Sequence, residues 1–419
     1  MSQPSQPEPR RPRRFPLDGV RVVDFCWAVA GPVTTKFLAL FGAEVIKIES
    51  RTRLDGSRLG FPFIEGRPGV NKSGYYANHN PAKLSVRLDL AKPEGREVAR
   101  RLVRVADVAT ESFSVGVMER WGLDYPELTK VKQDLIMISL AMQGQTGRYA
   151  RHVGFGRTLA GLAGIDNLTG WPDGAPAGPN QPYTDLVVPW FAVTSVLAAL
   201  RHRQRTGRGQ HIDLAQLEAA MHFLAPAALD YSVNGRTMTR DGNRAVGAAP
   251  HGVYPCEADP ASGGTGWCAI TVLNDAHWRN LCNAIGQSEL ASDQRFATLL
   301  RRKANEAELD AIVEAWTSAR GADEAAETLQ RAGVPAAVVA TGRDLHQDPQ
   351  LRHRDHLHVL EHPVMGQRTY SRPSFRMSEA SFDHRRASLL GEHNDYVFGE
   401  ILGMSAEELA DLQQQGIFE

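Results

Sequence analysis

The sequence predicts an α/β protein: a Rossmann-like large domain on a parallel sheet, with a smaller α+β domain. Three observations predict it. Over the first 225 residues, apolar strand patterns alternate with amphipathic helical ones, as in βαβ units. Several strand runs, such as Val20 to Phe25 and Leu135 to Leu140, are β-branched or apolar, as buried strands are. Between about 226 and 335 the character changes to turns and charged helices, which marks a second domain.

Each element has a local reason. Val20, Val22 and Val23 into Phe25 form a β-branched first strand. Gly31-Pro32 opens a helix, with proline where its missing N–H is harmless, and Gly42 closes it. Val45 to Ile48 is the second strand. Residues 51–82, rich in Gly, Arg and Asn, read as a long surface excursion, a length often tied to function. Lys83 to Leu88 alternates as a third strand. A helix follows from Lys92-Pro93-Glu94-Gly95 and carries Val98, Leu102 and Val105. Val108 to Thr110 is a short strand, Tyr125 to Val131 a short helix, and Leu135 to Leu140 an apolar strand. From Gly144 to Asp185 the chain is rich in glycine and proline. Leu186 to Leu200 is apolar for 15 residues, too short to span a bilayer, and reads as a buried helix. A strand at His211 to Leu214 and a helix at Ala215 to Leu224 complete the pattern. The expected organisation is a disordered tail at 1–15, a large domain at 16–225, a small domain at 226–335, and a return to the large domain at 336–419.

The formal net charge of −1 points to neither nucleic acid nor an anionic membrane as partner. Four cysteines without C-x-x-C spacing suit a reducing cytoplasm and argue against a zinc site. The first βαβ unit places a helix N-terminus at the carboxyl edge of the sheet, a site for an anionic group. The loop Cys26 to Pro32 holds a single glycine, so no G-x-G-x-x-G dinucleotide fingerprint is present. P-loop and G-x-S-x-G patterns are also missing. His353, His356 and His358 fit no metal-ligand spacing and have arginines between and beside them, so they read as a solvated cluster and no metal is expected. Asp185 directly precedes the apolar helix. At that N-cap the helix end would hold its carboxylate in place and ionised at neutral pH, able to attack an activated acyl group. From local sequence alone a plain capping aspartate is the favoured reading, because such aspartates are common.

Several blocks together carry a resemblance. They are Leu17-Asp18-Gly19 with Arg21-Val22 and Asp24, Ala30-Gly31-Pro32, Leu40 to Glu49, Lys83-Leu84-Ser85 with Leu88-Asp89-Leu90, and Pro93-Glu94-Gly95. Further on come Asp107-Val108 to Phe113, Gly144-Gln145-Thr146-Gly147, Leu168-Thr169-Gly170, Asp185, Arg205 to Gln210, and Leu390 to Asp395. In this order, from Leu17 to the C-terminus, the chain resembles the class III CoA-transferases of CaiB/BaiF type, which include formyl-CoA:oxalate and carnitine CoA-transferases.

The resemblance implies an interlocked dimer, formed with itself or with a homologous subunit. It implies that Asp185 is the nucleophile, and that CoA passes from an acyl-CoA to a carboxylic acid through mixed anhydrides and an aspartyl-CoA thioester, with no permanently bound cofactor. CoA contacts fall on Val29, Ala30, Lys83, Phe113 and Arg120, and Arg51 could hold adenosine phosphates. Gln143, Gly144, Phe155 and Gly156 are the expected acyl pocket and oxyanion donors. The chain departs from the family where Cys26-Trp27 replaces a small hydroxyl and a basic residue, and where Ala141-Met142-Gln143-Gly144 stands for the usual S-G-F-G. Two alternatives remain. One is an α-methylacyl-CoA racemase, although Gly154-Phe155-Gly156 lacks the histidine such enzymes use and His152 lies just upstream. The other is a non-catalytic subunit of a hetero-oligomeric transferase, which should have lost its aspartate.

Overall fold

The computed structural model describes residues 15–258 and 263–419, so all of the expected N-terminal tail but Phe15 lies outside the described residues. The chain divides into two compact units. One holds the described residues up to Asp166, with Gly178–Thr237 and His353–Glu419; the other holds Asn167–Ala177 and Met238–Arg352.

The first unit runs β1 (Arg21–Asp24), α1 (Ala30–Leu40), β2 (Glu44–Glu49), α2 (Gly74–His79), β3 (Leu84–Arg87), α3 (Pro93–Arg104), β4 (Val108–Glu111), α4 (Val117–Trp121), α5 (Tyr125–Val131) and β5 (Ile136–Ala141). It continues with α6 (Gly156–Leu162), α7 (Ile165–Leu168), α8 (Tyr183–Thr206), β6 (Gln210–Ala215), α9 (Gln216–Met221) and α10 (Ala225–Asn234). The strands form one sheet in the order β3-β2-β1-β4-β5-β6, with every pairing parallel. Successive side chains leave opposite faces, so two cores form. Val22, Val45, Ile136 and Ile138 pack under Leu38 of α1 and Ala192 and Val196 of α8. Val23, Ile46, Ala109 and Met137 pack with Val98 and Leu102 of α3 and with Ile417 and Phe418.

The second unit has a three-stranded antiparallel sheet of β7 (His251–Ala258), β8 (Thr265–Thr271) and β9 (Ala336–Val338). Its helices are α11 (Asp275–Ala284), α12 (Leu299–Ala304), α13 (Glu306–Thr317) and α14 (Ala322–Arg331), around a core with Trp278, Phe296, Leu309 and Leu329. Returning to the first unit, β10 (Leu357–His362) and β11 (Gly366–Ser371) form a hairpin.

Three expectations shift. The unit boundaries are not 226 and 335: α10 follows α9 through a single turn and stays with the large sheet, while Asn167–Ala177 joins the small unit, where Gly242 N–H donates to Gly170 O at 2.9 Å. The apolar helix is longer than its apolar stretch. At 24 residues α8 is long and apolar enough to cross a membrane, yet it serves as a core helix, with Val188, Ala192, Val196 and Ala199 buried. The excursion at 51–82 is anchored rather than superficial. Asp55, Arg58 and Tyr76 are buried, with Lys47 to Asp55 at 2.8 Å and Arg58 to Glu49 at 2.7 Å.

Candidate active site

The strand order reverses direction between β1 and β4, and the loops beyond their carboxyl ends part there. These loops, with the end of β5 and the segment before α6, enclose a cavity of about 540 Å³. Trp27 to Ala30 form one wall, Ser112 to Val115 a second, and Leu140 to Met142 a third. The first wall is held under strain. Ala28 adopts φ +68°, a left-handed conformation costly for any residue with a Cβ, and its N–H donates to the buried Asp55 at 2.9 Å.

Asp185 reaches the cavity from the first turn of α8. It is the third helical residue, not the cap; that position belongs to Pro182. Its half-buried carboxylate accepts the Gly156 N–H. Burial disfavours the charged form and outweighs that one hydrogen bond, so the pKa rises from 3.8 to about 6. The group is therefore ionised at neutral pH, as the N-cap argument requires, but it is far more basic than a capped carboxylate. Gly156 allows the contact: a Cβ there would lie 2.6 Å from Asp185 Oδ2 and 2.7 Å from Pro182 Cβ.

The expected CoA contacts separate into three groups. Val29, Ala30 and Phe113 line the cavity. Arg51 and Arg120 are exposed, next in sequence to Ser50 and Trp121, which line a smaller cleft with Phe25, Arg53, Leu88 and Leu90. Lys83 is a correction. It is buried, and its Nζ lies 2.7 Å from Thr35 Oγ1, 2.8 Å from Asn80 Oδ1, 2.9 Å from Pro32 O and 3.1 Å from Asp24 Oδ2. With its donors committed it cannot serve a phosphate.

The oxyanion candidates divide as well. Phe155 and Gly156 line the cavity; Gln143 and Gly144 do not. Gly144 packs toward Asp213 and Ala215 at the β5–β6 edge. The Phe155 N–H already donates to Thr158 Oγ1 at 2.9 Å, which leaves its ring, not its amide, for a ligand.

Comparison with known proteins supplies the class. The profile of CoA-transferase family III matches residues 17–394. The chain belongs to CoA-transferase family III. It is 33% identical to succinyl-CoA–D-citramalate CoA-transferase of Chloroflexus aurantiacus over 97% of this chain and 99% of that protein. It is 35% identical to succinate–glutarate CoA-transferase of Agrobacterium fabrum over 93% of this chain and 96% of that protein. A CAIB/BAIF family protein from Brucella suis superposes with a TM-score of 0.83 at 34% identity, covering 93% of this chain and all (100%) of that one.

Four further residues of this CoA-transferase bear on the site: Trp27 and His152, singled out in the sequence as a family departure and a racemase candidate, and Tyr75 and Gln216, which were not. Trp27 lines both the cavity and the cleft, and its buried Nε1–H has no partner among the described residues. Its ring meets Phe113 edge-on at 5.2 Å, and Phe113 meets Trp121 at 5.3 Å, so an aromatic row joins the two spaces. Burial of Tyr75, on α2, raises its phenol pKa, and the charges of Asp185 and Asp55 add to the shift. Gln216 opens α9 and lines the cavity with its Oε1 buried and unpartnered. His152 lines it from the opposite segment. Tyr75 lies within the excursion flagged by its length; Gln216 had no local signal.

Proposed function

We propose that the Asp185 carboxylate carries CoA between two carboxylic acids. The observation that supports it is a half-buried carboxylate of pKa about 6 facing a cavity at the sheet's switch point, in a chain of this family. The aspartate oxygen attacks the donor thioester carbonyl, the C–S bond breaks, and CoA leaves as thiolate. A mixed anhydride remains. The thiolate attacks the aspartyl carbonyl of that anhydride and releases the donor acid as carboxylate, leaving an aspartyl-CoA thioester. The acceptor carboxylate then attacks the aspartyl carbonyl and expels the thiolate, which takes the acceptor's carbonyl and restores Asp185. Protons and electrons balance without ATP or redox partner, and thioester energy is kept if water is excluded. The Gly156 N–H, set on the carboxylate at rest, is placed to follow the oxygen that gains charge.

CoA lies along the aromatic row, its pantetheine arm beside Trp27 and Phe113 and its phosphates toward Arg51, Arg53 and Arg120. The unpaired indole N–H suits a pantetheine amide carbonyl. The named relatives act on succinate, citramalate and glutarate, and we assign this chain a dicarboxylic acid in the same way. α10 buries none of its residues and leaves Leu229, Tyr231 and Val233 at least 60% exposed, a surface we assign to a second copy in an interlocked dimer. Four free, buried cysteines suit a cytoplasmic enzyme.

The test is CoA transfer from succinyl-CoA to a panel of acids, with Asp185→Asn as control. A loss on the order of a thousandfold is expected. Hydroxylamine should cleave a CoA adduct from the Asp185 peptide; transfer by Asp185→Asn at near-native rate would refute the proposal. His152, which lines the same cavity as Asp185, favours one second reading, racemisation at the α-carbon. Deuterium uptake from D2O into a 2-methylacyl-CoA, without transfer, would establish that instead.

A further inference from the structure

The amide expected from Gln143 is supplied to the cavity by Gln216. Register explains the exchange. Ala215 of β6 lies opposite Ala141 of β5, and the Leu217 N–H donates to Met142 O at 2.9 Å, so Gln216 stands beside Met142 at the acyl wall. This side chain is only 7% exposed, and its Oε1 has no hydrogen-bond partner among the described residues. A buried amide left unpaired is costly, and the usual resolution is a ligand that completes it. The walls around it are mainly apolar: Leu140, Ala141, Met142, Val153 and Phe155 line the same space. Apart from Asp185, the titratable side chain lining that space is His152, an exposed residue at its mouth whose ring meets Tyr149 at 4.7 Å and whose backbone N–H donates to Tyr149 O at 2.9 Å.

We propose that Gln216, with His152, reads the distal carboxyl of a dicarboxylic acyl group while Asp185 works on the other end. The inference rests on the CoA-transfer reading above and names the residues that select its substrate. A carboxylate inserted into an apolar chamber needs hydrogen bonds and a compensating charge. The Gln216 amide can present either its oxygen or its NH2 after a half-turn of the side-chain end, and the imidazole can supply the charge. A hydroxyl on the acyl chain would use the same amide without needing His152.

The experiment compares succinyl-CoA with butyryl-CoA, donors of equal chain length with and without the distal carboxyl. Each is assayed with Gln216→Leu, Gln216→Asn, His152→Ala and His152→Arg. Wild type should prefer succinyl-CoA. Gln216→Leu should lower that preference on the order of 10- to 100-fold, mainly through a raised KM for succinyl-CoA, with a smaller effect on butyryl-CoA. His152→Ala should act in the same direction, and His152→Arg should restore the preference. The ratio is internal to each protein, so partial misfolding does not alter it. Equal loss on both donors, or no preference in wild type, overturns the proposal. If wild type transfers CoA from no donor, the CoA-transfer reading fails instead.

Discussion

Replacing Asp185 by asparagine should make the protein more stable while making it inactive. In the folded state burial holds the Asp185 pKa at about 6, against 3.8 for a free aspartate. Two pKa units correspond to about 3 kcal/mol, an upper figure because the side chain is only half-buried. The sign follows from proton linkage. Between about pH 4 and 6 the folded protein keeps a proton that the unfolded chain has released, so stability falls as pH rises through that window and stays low above it. Asparagine retains an oxygen for the Gly156 N–H and carries no charge. The gain should thus be about 2–3 kcal/mol at pH 8 and should vanish near pH 4. Urea unfolding of both proteins at pH 4 and pH 8 measures it, following the transition of the sheet-bearing unit because the two units need not unfold together. A variant no more stable than wild type at pH 8, or equally stabilised at both pH values, would refute the claim that burial costs this carboxylate.

Three other outcomes follow from the same geometry. Acyl transfer from a monocarboxylic acyl-CoA should fall about tenfold per pH unit below 6, where an ordinary aspartate would still be ionised; a midpoint near 4 would contradict the burial argument. Gly156→Ala should lower kcat about a hundredfold with little change in KM, because a Cβ 2.6 Å from Asp185 Oδ2 must push the nucleophile aside; unchanged kcat would show the carboxylate free to move. Lys83→Ala should destabilise the fold by about 3–5 kcal/mol, since Asp24 loses a buried partner, and should leave the KM for acyl-CoA unchanged in the folded fraction; a raised KM with intact stability would return Lys83 to the CoA site.

The parallel sheet was legible because β-branched and apolar runs such as Val45 to Ile48 and Leu135 to Leu140 recur between helical patterns, as in βαβ units. All six runs form strands, and their helices lie between them. What escaped the sequence depends on contacts far apart in the chain. Lys83, a charged residue ahead of a strand, reads as exposed until strand pairing brings Asp24 beside it. α8 outruns its apolar stretch because its polar last turn has its own anchor, Arg203 to Asp107 at 2.6 Å. Gln143 follows β5 directly and looked the natural acyl contact, whereas Gln216 enters only through the pairing of β5 with β6. Asp185 drew notice by its place before an apolar helix, but its raised pKa comes from burial, which the Gly156 N–H, 29 positions upstream in the chain, only partly offsets.

Two acids of this unit, Asp24 and Asp185, have their pKa values moved in opposite directions by their surroundings. Asp24 is fully buried, yet Lys83, Lys47, Thr35 and the Cys26 N–H together hold its pKa below the ordinary value. So compensated, its charge is stable, its lone pairs are occupied, and it has little to give an electrophile. Asp185 is less buried and has one N–H, so its pKa moves the other way. On the proposed mechanism, the carboxylate with few hydrogen bonds is the one that attacks the thioester. A lysine introduced against Asp185 would therefore stabilise the ion and weaken the nucleophile, whereas the uncharged glycine at 156 leaves room for the substrate and supplies one hydrogen bond that can shift to the oxygen as charge develops on it.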